Sequence, residues 1–200
     1  MSLKLYLAGP EVFLPNARQM LDAKAALART YGFQPICPGD ISIEPAPTRH
    51  GFGLKISAVD EGMMNAADGI IANLTPFRGI AADIGTTFEL GYMCAQGKVV
   101  AAYTNVADSH FARTAGFYDG NVREGEDGRR RGPDGMSLED FDMIDNLMLH
   151  GGIERRGGHI AVHAAAPDAL YTDLTGFEEC LRWYAERQRV DKARVVDPVG

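Results

Sequence analysis

Apolar residues along this chain gather into short runs separated by stretches with helical spacing. Leu3 to Ala8 is a short apolar run that predicts a buried strand, and Gly9 and Pro10 end it. From Asn16 the apolar positions Met20, Leu21, Leu27, Ala28 and Tyr31 recur at helical intervals, with Asn16 placed to cap the start and Gly32 the end. Phe33 to Cys37 predicts a second strand. The Pro- and Gly-dense stretch PGDISIEPAPTRHGFG predicts a loop, and Ser57 to Ala67 a short helix with Val59, Met63 and Met64 on one side. Gly69 to Leu74 reads as the third strand, residues 85 to 96 as the next helix, and Lys98 to Tyr103 as the fourth strand. Thr104 to Gly135 is polar and without clear period, and its length predicts a lid or a disordered insertion. Ser137 opens a helical SLEDFDMIDNLML, His159 to His163 predicts a fifth strand, and a last helix is expected from about Thr172 to Arg189 with Leu174, Phe177, Leu181 and Tyr184 inward.

Alternating strands and helices imply parallel strands joined by right-handed crossovers. The fold class expected is α/β, a flavodoxin-like doubly wound sheet of about five parallel strands with helices on both faces, in a single domain over residues 1–200. Ligands of such sheets collect beyond the carboxyl ends of the strands, at the switch between the first and third. That rule selects Gly9 to Phe13, Thr75 to Glu89, and Tyr103 onward.

Composition narrows the function. Two hundred residues with 46% hydrophobic and 24% charged positions can build an ordinary core without disulfides or metal. No apolar run approaches the roughly 20 residues that cross a bilayer, and the start lacks the charged and apolar regions of a signal peptide, so a cytoplasmic protein with no membrane partner is expected. The net charge of -7 argues against a nucleic-acid partner, and Arg129 to Arg131 read as a solvated loop tip. Cys37, Cys94 and Cys180 are odd in number, widely spaced and without a CxxC, so neither a zinc site nor a disulfide framework is suggested, and the five histidines show no ligand spacing. Neither metal nor cofactor is expected.

The segment ADIGTTFELGYMCAQGK, residues 82 to 98, carries the candidate chemistry. Thr86 and Glu89 match a capping box, in which each side chain would satisfy an amide of the first helical turn. The alternative is catalytic. Asp83 precedes Glu89 by six residues, so two acids meet at one helix start on the ligand edge of the sheet. A carboxylate placed there can stabilise or attack an anomeric carbon as its bond to a base breaks, and the helix start favours the ionised form of Glu89. Ser57 and Asp60 also match a cap, S-x-x-D.

Four segments in chain order, YLAGPEVF from Tyr6, ANLTPFRG from Ala72, DIGTTFELGY from Asp83 and NLML from Asn146, resemble the nucleoside 2-deoxyribosyltransferase family. The resemblance covers residues 3 to about 163. It implies a flavodoxin-like fold and a double displacement, in which a Glu attacks C1' of a 2'-deoxynucleoside, releases the base and passes the sugar to another nucleobase. It puts Glu89 at the nucleophile, Asp83 at the sugar 5'-hydroxyl, Tyr6 beside the nucleophile as its orienting group, and Asp60 near the leaving base, with Asp68 left to a local capping role. It implies a homo-oligomer in which Asn146 and Met148 complete the site of a neighbouring subunit. Gly9 and Phe13 then border the substrate, Phe13 either stacking on the base or packing in the core. Asp40 either reads a base edge or closes an Asx turn, and Arg78 is expected beside a local carboxylate. Two other readings stay open: an N-glycosidase acting on a nucleoside or its 5'-monophosphate, which Asp83 disfavours by its charge, and a noncatalytic nucleotide sensor.

Overall fold

The computed structural model describes residues 2–196. In chain order the elements are β1 (Lys4–Ala8), a 3-10 turn (Pro10–Phe13), α1 (Ala17–Thr30), β2 (Gln34–Ile36), α2 (Arg49–Ala66), β3 (Gly69–Asn73), α3 (Ile84–Ala95) and β4 (Val99–Thr104). There follow α4 (His110–Phe117), β5 (Arg123–Glu124), β6 (Arg130–Arg131), α5 (Leu147–Glu154), β7 (His159–Val162), a second 3-10 turn (Pro167–Ala169) and α6 (Thr175–Val196). Five strands form one parallel sheet in the order β2-β1-β3-β4-β7, and β5 and β6 make a separate antiparallel hairpin. This is the expected α/β architecture.

Strand side chains alternate between faces, and here both faces are covered. Tyr6, Ala8, Ile70, Ala72, Val100 and Ala102 pack with residues of α2, α3 and α5. Leu5, Leu7, Ile71, Ala101 and Tyr103 pack with α1 and α6, where Phe177, Cys180, Leu181 and Tyr184 are fully covered. The register pairs Tyr6 with Ile70 and Ala8 with Ala72, so β1 and β3 end side by side at the switch point. All three cysteines are buried and free.

Several expected boundaries move. α2 begins at Arg49, capped by Thr48 Oγ1 accepting from Gly51 N at 3.0 Å, so Ser57 and Asp60 lie in its interior and form no cap. The signal was hidden because Phe52, Leu54 and Ile56 are exposed and lie outside the core, and Gly51 and Gly53 resemble loop residues. The helix expected from Ser137 starts only at Leu147. Up to Asn146 the side chains of Glu139, Asp145 and Asn146 bind backbone amides instead, and Asp142 adopts a φ of 55°. Within 104–135 lie α4, capped by Ser109, and the β5–β6 hairpin. Arg130 and Arg131 are strand residues rather than a free tip, paired to Glu124, Asp140 and Asp127. Among the described residues no helix is long and apolar enough to cross a membrane.

A buried charge sits under the switch point. Glu11 is 1% exposed, and its Oε1 accepts from Lys24 Nζ at 2.8 Å, Asn73 Nδ2 at 3.0 Å and Tyr103 OH at 2.9 Å. Lys24, wholly buried, also lies over the rings of Tyr103 and Phe177. Removing one partner of such a pair strands the other charge in a dry interior. Lys24→Met is expected to lose about 3–5 kcal/mol in urea unfolding, and Lys24→Met with Glu11→Gln to recover a large part of it; a double variant no more stable than the single would refute the pairing.

Candidate active site

The site is built on the α2–α3 face of β1. Alternation turns Tyr6 toward α3, where Thr86, Leu90 and Met93 form the buried stripe at helical spacing. Glu89 flanks that stripe, and Tyr6 OH donates to its Oε1 at 2.6 Å. Asp83 is the N-cap of α3: its Oδ2 accepts from Thr86 N at 2.9 Å and from Thr86 Oγ1 at 3.1 Å. The capping-box alternative for Glu89 therefore fails, because Asp83 fills the cap and Glu89 lies in the second turn, held by a tyrosine from the sheet.

A hollow of about 490 Å³ gathers Gly9, Phe13, Asp60, Asp83, Thr86 and Glu89. Asp60 reaches it from the middle of α2. Gly9 borders it where β1 turns into the 3-10 helix, and a Cβ there would collide with Glu11 Oε2 and come within 2.9 Å of Asn73 Cβ. The opposite wall is apolar: Val12, Ile41, Ile43, Phe52 and Ile56 join Phe13, which is 53% exposed and so is no core residue. Ile41, Ile43 and Phe52 of this wall lie in residues 38 to 53, the stretch whose sequence predicts a loop. The usable signal was a set of large apolar residues in a Gly- and Pro-rich stretch with no helical or strand period. Phe13 stacks on Phe77 at 5.3 Å, and Arg78, expected beside a carboxylate, lies over both rings in a left-handed backbone, φ 54°. Asp40 is taken by Cys37 N and Arg18, and Asp68 accepts from Lys4 N at 2.8 Å at the opposite end of the sheet.

The electrostatics differ from the expectation drawn from the helix start. Burial pushes the Glu89 carboxyl up, the Tyr6 hydrogen bond opposes, and the charges of Asp60 and Asp83 push it further, to about 7. Burial outweighs the helix N-terminus, whose influence fades beyond the first turn. Burial likewise raises Asp60, and burial with the Glu89 charge drives Tyr6 far above the usual phenol range, so it remains a donor.

Asn146 and Met148 lie elsewhere in the chain. Asn146 caps α5 through Met148 N at 3.0 Å and donates to Glu139. Met148, 71% exposed, borders a second hollow of about 480 Å³ between α3 and α5. Neither lines the hollow that holds Glu89.

Residues 5–148 match the sequence profile described as nucleoside 2-deoxyribosyltransferase. The chain belongs to this family. An uncharacterized protein of Schizosaccharomyces pombe is 31% identical over 181 residues, 85% of this chain and 86% of that one. The structure of a 2-deoxyribosyltransferase from Leishmania mexicana superposes with a TM-score of 0.64 at 29% identity, over 92% of this chain and 97% of that one. A conserved protein from Enterococcus faecalis, 17% identical, shares the fold with a TM-score of 0.55 over 92% of this chain and 99% of that one. The residues matched to the family contain every side chain named in the hollow, whereas β7 and α6 lie beyond them.

The raised Glu89 carboxyl has a consequence for stability. It titrates near 7 in the folded chain and about 4.3 when unfolded, so the folded chain binds the proton more tightly and its stability falls as pH rises between those values. Glu89→Gln removes the titrating group. It is expected to stabilise the protein by about 2–3 kcal/mol near pH 8 and by little near pH 4, read by urea unfolding; an equal gain at both would refute the shift.

Proposed function

We propose that this protein transfers the 2-deoxyribosyl group of an uncharged 2'-deoxynucleoside to an acceptor nucleobase, through a covalent intermediate on Glu89. The observation that carries this reading is the Tyr6–Glu89 hydrogen bond of 2.6 Å inside a hollow that also contains Asp60 and Asp83. Tyr6 engages Oε1 and leaves Oε2 to bond with C1'. As that bond forms, the C1'–N bond breaks with its electron pair going to the base, and Asp60, its carboxyl raised by burial, donates a proton to the base nitrogen. In the second half a nitrogen of the incoming base attacks C1', Asp60 takes up the proton that nitrogen loses, and Glu89 departs as carboxylate. The absence of a 2'-hydroxyl eases the step, since an electron-withdrawing group beside the forming cation would oppose it.

The remaining groups fit the same substrate. Asp83 uses Oδ2 as the helix cap, and its Oδ1 serves as acceptor for the sugar 5'-hydroxyl; a 5'-phosphate would meet a like charge there. Phe13 and the apolar wall of Val12, Ile41, Ile43, Phe52 and Ile56 offer the base a flat dry surface, which disfavours water as the acceptor. Asn146 and the exposed Met148 act on a neighbouring subunit's site in a homo-oligomer.

The test is chromatography of 2'-deoxyinosine incubated with protein, with and without adenine or cytosine. New deoxynucleoside formed only with acceptor is expected, with Glu89→Ala lowering the rate at least about a thousandfold and Asp60→Asn about a hundredfold or more. The kcat/KM of the wild type should rise with pH toward about 7, as Glu89 ionises, and fall again as Asp60 loses the proton it donates. Free base released at one rate regardless of acceptor would make the protein a hydrolase. No turnover across several deoxynucleosides would refute the assignment.

A further inference from the structure

The segment between β4 and α5 sends one side chain back toward the site. Arg113, on α4, is 9% exposed. Its Nε donates to Ile80 O at 2.7 Å, Nη1 to Asp108 O at 2.6 Å, and Nη2 to Ile144 O at 2.6 Å. Nη2 also lies 3.4 Å from Oδ2 of Asp145, which is 2% exposed. Asp145 extends the connection: Oδ2 accepts from Ala82 N at 2.9 Å and Oδ1 from Asn146 N at 2.7 Å. The loop leading into α3 is therefore held at Ile80 by the guanidinium and at Ala82 by the carboxylate bound to it. The next residue is Asp83.

Asp83 has little freedom of its own. With Oδ2 committed to Thr86, the direction of Oδ1 follows the backbone that enters the helix. That backbone has no strand partner in 75–82, and Arg113 and Asp145 supply side-chain anchors from outside the loop. A guanidinium suits the task because its donors leave in a fixed planar fork and can serve three separated carbonyls at once, which an ammonium on a flexible stem cannot do in one geometry.

We propose that Arg113, acting through Asp145 and the Ile80–Ala82 backbone, is the positioning residue that aims Asp83 at the 5'-hydroxyl of the donor sugar. The inference rests on the reading of Asp83 given under Proposed function. The segment 104–135, expected to be a lid or a disordered insertion, then contributes a strut through Arg113.

The experiment compares 2'-deoxyadenosine with 2',5'-dideoxyadenosine as donors, hypoxanthine as acceptor, for wild type, Asp83→Asn, Arg113→Lys and Arg113→Met. Asp83→Asn keeps a competent N-cap and loses the charge. The wild type should prefer the hydroxylated donor roughly tenfold or more in kcat/KM, the worth of a hydrogen bond to a charged acceptor. Both Arg113 variants should lower kcat/KM roughly tenfold for 2'-deoxyadenosine and less than about twofold for the dideoxy donor, so the preference collapses as it does in Asp83→Asn. A purely structural role would reduce both donors alike, and that result overturns the proposal, as does an undiminished preference in the folded Lys variant. Where Arg113→Met fails to fold, Arg113→Lys decides. A wild type that turned over neither donor would overturn the transfer reading and this inference with it; a wild-type preference that the Lys variant retains overturns this inference alone.

Discussion

Glu11 carries a charge into the centre of the molecule, and α1, β3 and β4 each send a donor to meet it. A buried carboxylate without partners would be untenable in that setting. Lys24, Asn73 and Tyr103 make it tenable by converging on one oxygen. The second oxygen, Oε2, has no hydrogen-bond partner and occupies the space that a Cβ on Gly9 would need. The two demands fit together: the network locks the turn after β1, and the turn leaves room for the carboxylate only because residue 9 has no side chain. One edge of the hollow is thus shaped by a charge network beneath it, and Phe13 is carried on the same turn.

Above that base the electrostatics point the other way. Asp60, Asp83 and Glu89 share one hollow, and burial together with their mutual repulsion raises Glu89. An isolated domain would be more stable without this arrangement, the pattern expected where function rather than folding sets the charges. Asp83 combines the two demands, since one oxygen stabilises the start of α3 while the other faces no such claim. Tyr6 offsets part of the repulsion with a short hydrogen bond whose geometry comes from the alternation of β1.

Legibility in the sequence followed the hydrophobic signal. β1, β3 and β4 are covered on both sides, so their continuous apolar runs announced them, and the order of strands and helices implied the parallel sheet. Only the second half of α2 is legible, because Phe52 and Ile56 in its first turns face the open hollow rather than the core. α4 has no buried residue and gave no period. The acidic stretch before α5 imitated a helix, yet its carboxylates bind backbone amides and hold it irregular. Glu11 and Lys24 gave no local sign of belonging together, thirteen residues apart and both of a type that normally faces water.

The sequence by itself determined the fold class, the strand edge at which the hollow lies, and the short motifs that bring Tyr6, Asp83 and Glu89 to that edge. Each of these depends on local order: a run, a cap, a spacing within one element and its neighbour. Only the tertiary structure decided that Asp83 rather than Thr86 caps α3, that Glu89 is held by a tyrosine 83 residues away and titrates near 7, and that Arg113 reaches the loop before Asp83. Those properties belong to burial and to partners distant along the chain. Neither exists until the sheet has brought β1, α3 and α4 together.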